Sequence, residues 1–218
     1  MILETIELET GPVPQAAVIW LHGLGADGHD FEPIVPELGL PGSKPVRFIF
    51  PHAPQRAVTI NMGMRMRAWY DVLQLGGGAE DEAGIREAQV LLEELISAEK
   101  RKGIPPGRIV LAGFSQGGAI VLQTALRHPE RLAGVMALSS YLPLSNTLAK
   151  ERAAANGDLP IFMAHGSYDP MIPMAHAAQS RDALVALGYP VLWREYPMAH
   201  SVCPEEIADI AAFLLRVL

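Results

Sequence analysis

Residues 108–126 read RIVLAGFSQGGAIVLQTAL, and the fold turns on how this stretch is parsed. Its opening, RIVLA, is a short apolar run of the kind expected for a strand buried on both faces. Its close, AIVLQTAL at 119–126, reads as a helix leading away. Between them lies Gly113-Phe114-Ser115-Gln116-Gly117-Gly118, a GxSxG arrangement at a strand-to-helix junction. So sharp a reversal strains the serine backbone and brings the residues two before and two after it together. A Cβ at either place would clash, and Gly113 and Gly117 meet that demand. The turn also presents the Ser115 hydroxyl near a helix N-terminus, where developing negative charge is favoured. The bland alternative is an ordinary βα turn whose glycines serve close packing. The flanking strand and helix favour Ser115 as a nucleophile.

Outward from this stretch the same rhythm repeats. Apolar runs occur at 17–21 (AVIWL), 46–50 (VRFIF), 134–138 (GVMAL), 160–164 (PIFMA) and 191–196 (VLWREY). Helical patterns lie between them. In 80–102, Ile85, Ala88, Leu92, Leu95 and Ile96 form one stripe, Gly103 supplies a stop, and Pro105 and Pro106 prevent resumption. Residues 179–187 read as a short helix closed by Gly188, and the last helix opens with Pro204 at its first position. Strands alternating with helices predict an open, mostly parallel α/β sheet flanked by helices. At 218 residues the chain is sized for a single domain, 1–218, without a large lid.

Composition narrows the function. Half the residues are apolar and 19% are charged, which argues against disorder. A formal charge of −7 repels a phosphate backbone, so nucleic acid is not an expected partner. The single cysteine, Cys203, forbids an internal disulfide and a thiolate zinc cluster; no metal or organic cofactor is expected. The opening MILETIELET lacks a basic n-region and an apolar h-region, and no run reaches the ~18 apolar residues of a spanning helix. A soluble, cytoplasmic protein with no integral membrane association is the expectation.

A serine nucleophile needs a base, and the base an orienting acid, in the chain order Ser, acid, His. Asp169 follows the run at 160–164 in HGSYDP, and His200 follows the run at 191–196 in PMAH; both fall on loops at strand ends, where sites in open α/β sheets lie. Asp158 and Asp182 are rivals for the acid, and Asp169 before Pro170 also fits a turn cap. His22, His29, His52, His128, His165 and His176 compete for the base, but His200 alone has both the order and the place. His165 reads as a packed structural histidine, and Cys203 as a packing residue.

After the first strand comes LHGLGADG (21–28), with three glycines in six residues from Gly23, so its backbone can fold inward and present amides. The oxyanion hole is therefore assigned to the N–H groups of Leu24 and Gln116. A phosphate-binding loop is the weaker reading, lacking the Walker lysine. Residues 54–80 show no helix signal, carry Met62, Met64, Met66, Trp69 and Tyr70, and end in Gly76, Gly77 and Gly78. They read equally as a loop lining a groove or as one more core strand; Met66, Trp69 and Tyr70 are the candidate substrate contacts. Residues 142–158 form a second irregular excursion that could cover the site. With no charged cluster in view, a neutral ester is expected.

LHGLGADGHDF, GFSQGG, HGSYDP and EYPMAH together resemble the phospholipase/carboxylesterase family of α/β-hydrolases, which includes bacterial carboxylesterases and acyl-protein thioesterases. The resemblance runs from Ala17 to the last helix. It implies Ser115 as nucleophile, Asp169 as acid, His200 as base, Leu24 and Gln116 as oxyanion donors, and a Trp69-Tyr70-Asp71 loop flanking an acyl groove. It also implies a small-molecule or lipid ester substrate, a cytoplasmic enzyme and, as in some members, a homodimer. The likeness is greatest to small bacterial carboxylesterases acting on short to medium acyl esters; the alternative is an acyl-protein thioesterase or lysophospholipase. From another class, a non-catalytic binding protein on this fold usually lacks a triad member, whereas all three are present here.

Overall fold

The computed structural model describes residues 3–74 and 78–218; the first two residues of the opening decapeptide, and Gly76 and Gly77, lie outside them. In chain order the strands are β1 (Thr5–Glu9), β2 (Ala16–Leu21), β3 (Val46–Pro51), β4 (Gln55–Val58), β5 (Met64–Arg67), β6 (Ile109–Phe114), β7 (Gly134–Leu138), β8 (Ile161–Gly166) and β9 (Val191–Tyr196). The helices are α1 (Ile34–Glu37), α2 (Glu82–Arg101), α3 (Gln116–Ala125), α4 (Ser145–Glu151), α5 (Met174–Ala186) and α6 (Pro204–Val217). The seven-stranded sheet runs β1-β3-β2-β6-β7-β8-β9, parallel throughout except for β1. This is the α/β-hydrolase fold, in a single domain.

Side chains alternate across the sheet, and each face has its own core. In β2, Ala17, Ile19 and Leu21 pack with Ile85, Leu92 and Ile96 of α2 and with α3. Ala16, Val18 and Trp20 of the same strand face the other way, toward Ile34 and Val35 of α1 and Ile210, Phe213 and Leu214 of α6. Burial on both faces explains why the strands read as unbroken apolar runs. Helix α2 starts where Asp81 accepts from Gly84 N–H at 3.0 Å and is followed by Gly103 at φ +95°.

Several expectations change. Residues 54–80 contain neither a core strand nor one unbroken loop: β4 and β5 form a separate hairpin around a one-turn 3₁₀ helix (Thr59–Asn61), with Met62 and Met64 exposed. Helix α5 begins at Met174, five residues before the expected start, and 142–158 holds α4 and a second 3₁₀ turn (Ala154–Asn156). The edge strand β1 went unread; its TIELE alternation puts Ile6 and Leu8 against the core while Glu7 and Glu9 reach Lys102 and Arg47.

Candidate active site

The elbow lies where β6 hands over to α3. Ser115 has φ +54° and ψ −120°, a conformation that costs an L-residue about 1–3 kcal/mol and must be held by its surroundings. They hold it on both sides: Ser115 N–H donates to Leu138 O at 2.8 Å, and Ser140 Oγ donates to Ser115 O at 2.7 Å. The two glycines are required as expected. A Cβ on Gly113 would lie 2.4 Å from the Gly117 carbonyl carbon, and one on Gly117 would lie 2.4 Å from Leu21 O.

The loop after β8 carries Asp169, whose carboxylate is wholly buried. Its Oδ1 accepts from Met171 and Ile172 N–H at 2.8 and 2.9 Å, and its Oδ2 accepts from His200 Nδ1 at 2.7 Å. That bond places the proton on Nδ1 and leaves Nε2 free to act as a base. The loop after β9 brings His200 in because β8 ends in Gly166, where a Cβ would meet Ala199 O at 2.3 Å. The imidazole then packs on the Phe114 ring, 4.7 Å between centroids. Asp169 thus does both jobs read for it, capping its turn and meeting His200.

The rivals are occupied elsewhere. Asp158 pairs with Arg131 on the surface and Asp182 with Arg181. His128 meets Glu93, His29 meets Glu32, and His52 Nδ1 accepts from Gly28 N–H. His165 is fully buried and donates from Nε2 to Ile172 O at 2.8 Å, bracing the Asp169 turn. Cys203 is the N-cap of α6, packed against the core. His22 is buried, and burial holds its pKa down to about 4. The neutral ring donates from Nδ1 to Gly23 O at 2.7 Å and accepts Ala53 N–H on Nε2 at 3.0 Å, which shapes the glycine-rich loop.

Leu24 and Gln116 line the same cavity as the serine. A Cβ on Gly23 would lie 3.4 Å from Ser115 Cβ, so this loop touches the elbow. Among the described residues the N–H groups of Leu24 and Gln116 donate to no protein acceptor, while Gly25 N–H is tied to Arg67 O at 2.9 Å. Two unspent donors therefore lie on the segments next to the serine.

Ser115, His200, Leu24 and Gln116 share the wall of a cavity of about 540 Å³, within the ~300–1,000 Å³ usual for small-molecule sites. Met66 and Tyr70 also line it, with Ile60, Val72, Leu142 and Ile172 supplying apolar surface. Trp69 does not. It is 1% exposed, and its indole N–H donates to His22 O at 2.9 Å, so it supports the wall from behind. Tyr141 and His176 are wall residues with no signal in the sequence. Tyr141 Oη lies 2.7 Å from Tyr70 Oη, and the Tyr141 ring stacks on His176. A neutral ester is the expectation from sequence, yet Asp30, Asp71, Glu80 and Asp81 line the cavity, and among the described residues neither Lys nor Arg does. Glu80 and Asp81 are neighbours in the acidic run 80–82, while Asp30 and Asp71 come from other places in the chain. Among the described residues no group of three or more His, Cys, Asp or Glu is placed to hold a metal ion, and no helix is long and apolar enough to cross a membrane.

The sequence profile of the Phospholipase/Carboxylesterase family matches residues 4–218. The chain belongs to that family. It is 43% identical over 213 residues to acyl-protein thioesterase 1 of Gibberella zeae, covering 93% of this chain and 91% of that one. The acyl-protein thioesterase 1 of Mycosarcoma maydis is 41% identical over 235 residues, covering 100% and 98%. Among solved structures, Zea mays acyl-protein thioesterase 2 superposes with a TM-score of 0.87 at 27% identity, covering 98% of both chains. Family membership makes this chain a hydrolase of the α/β-hydrolase class.

Proposed function

We propose that the chain is a serine hydrolase that removes acyl groups from thioester- or ester-linked substrates, with S-acylated protein or peptide as its substrate class. The observation that carries the reading is the His200 Nδ1 to Asp169 Oδ2 bond at the cavity that Ser115 lines. His200 Nε2 takes the Ser115 proton as Oγ attacks the acyl carbonyl, and Asp169 stabilises the imidazolium. Leu24 and Gln116 N–H groups bind the oxyanion, each donor being worth about 2.7–4 kcal/mol in such a hole. Collapse breaks the bond to sulfur or oxygen, and His200 returns the proton to the leaving thiol or alcohol. Water, deprotonated by the same histidine, then attacks the acyl-serine and releases the carboxylic acid.

Hydrolysis of small carboxylic esters, the narrower expectation from sequence, uses identical chemistry. Support for the thioesterase reading over it comes from relatives above 40% identity that are named acyl-protein thioesterases. The cavity beside Ser115, with apolar walls and ample volume, fits a longer acyl chain. The test is kcat/KM for p-nitrophenyl esters from acetate to palmitate beside an S-palmitoyl peptide. Efficiency that rises with chain length, with rapid thioester cleavage, is expected. A maximum at acetate with a poor thioester rate returns the reading to a small-ester carboxylesterase, and silence on every substrate to a binding protein.

A further inference from the structure

Gln116 opens α3, a helix buried along its whole length, and is itself only 3% exposed. Both ends of its amide are engaged by one peptide segment. Oε1 accepts Trp69 N–H at 2.8 Å, and Nε2 donates to Tyr70 O at 2.8 Å. Residues 69–70 are thereby fastened to the elbow. The Trp69 indole fastens the same segment to His22 O, beside the Gly23-Leu24 turn. This short piece of cavity wall thus bridges the two elements that carry the free N–H groups of Leu24 and Gln116. It also fixes Tyr70, whose hydroxyl meets Tyr141 across the cavity.

We propose that the Gln116 side chain is a positioning residue that locks the cavity wall at 69–70 to the oxyanion donors. Selectivity for acyl-chain length then depends on one amide. The inference rests on the acyl-hydrolase reading above and adds a task beyond the backbone role of Gln116. Chemistry restricts the residue narrowly. Asn is one methylene short. Met or Leu would leave Trp69 N–H and Tyr70 C=O buried without partners. An ionised Glu would set a carboxylate against the Tyr70 carbonyl, with no donor between them.

A protonated carboxyl, by contrast, reproduces the amide pattern: its C=O accepts from Trp69 N–H and its O–H donates to Tyr70 O. The test therefore compares wild type, Gln116→Met and Gln116→Glu by the ratio of kcat/KM for p-nitrophenyl octanoate to that for acetate, between about pH 5.5 and 8. A pH effect on the shared chemistry acts on both substrates and cancels in the ratio. The wild-type ratio is expected to stay level with pH. Gln116→Met lowers it on the order of tenfold throughout, because the wall that orients the longer chain has shifted. In Gln116→Glu the ratio is low at the alkaline end and recovers toward wild type as pH falls, a response that a merely structural residue does not give.

A wild-type ratio in Gln116→Met overturns the proposal, as does a fall of both rates in step, or a pH-independent ratio in Gln116→Glu. Should Gln116→Met not fold, the pH response of Gln116→Glu decides alone. Wild-type turnover in the same assay separates a failed coupling from a failed reading of the site.

Discussion

Asp169 divides its carboxylate between two tasks: Oδ2 faces His200 Nδ1 at 2.7 Å, while Oδ1 is held by two backbone N–H groups of its own turn. The acid is therefore rigid before any substrate arrives. Asp169→Asn keeps the turn if the amide oxygen takes the place of Oδ1, but it then offers N–H to His200 and forces the wrong tautomer. A fall in kcat of about 10⁴-fold is expected, the size known for this change in a serine protease triad. Steady-state kinetics beside a thermal melt checks it: the rate collapses while the fold survives.

Gly166 sets the histidine loop against the end of β8. A methyl in Gly166→Ala would stand 2.3 Å from Ala199 O and 2.4 Å from Met198 O, so the loop has to move. A displaced His200 should cost about 10²-fold in kcat/KM. Fluorophosphonate labelling of Ser115 in the variant should slow in proportion; labelling at the wild-type rate counts against this account of the loop.

Glu206 is buried, and burial raises its pKa to about 8. Above an unfolded value near 4.5 the unfolded chain sheds this proton while the folded protein keeps it. Stability contributed by the neutral acid is thus whole at low pH and is lost as pH rises through about 8, by roughly 1.4 kcal/mol per unit. Glu206→Gln removes that slope. Melting temperatures from about pH 5 to 9 should show the variant gaining on wild type as pH rises; parallel curves would contradict it.

Four carboxylates around the cavity, with neither Lys nor Arg among the described residues of its wall, favour substrates with a cationic leaving group. An S-acyl peptide flanked by lysines should be cleaved several-fold faster than one flanked by glutamates, with the gap narrowing as salt rises. Equal rates at low ionic strength would show that the charge lies too far from the bound peptide to matter.

Much of the site was readable because each element of it answers a local demand. A Cβ-free pair around a strained serine, and polar residues at the ends of apolar strands, leave marks in the sequence at Gly113, Gly117, Asp169 and His200. The order of the strands left none, since a run buried on both faces carries no record of its neighbour. Trp69 was misplaced for a similar reason. Its indole is aimed by His22 and its backbone by Gln116, partners some 47 residues away in sequence. Tyr141, in the loop after β7, and His176, in α5, meet beside Tyr70 only in the folded chain, and Asp30 joins Asp71, Glu80 and Asp81 from a distant segment.

The most direct test of the central claim is to trap the acyl-enzyme. An S-palmitoyl peptide is mixed with the protein, the reaction is quenched in acid within one turnover, and the digest is read by mass spectrometry. The account predicts a palmitoyl adduct on the peptide that contains Ser115, and none in Ser115→Ala. Thioester cleavage with no adduct, or with an adduct on Cys203 instead, would contradict it.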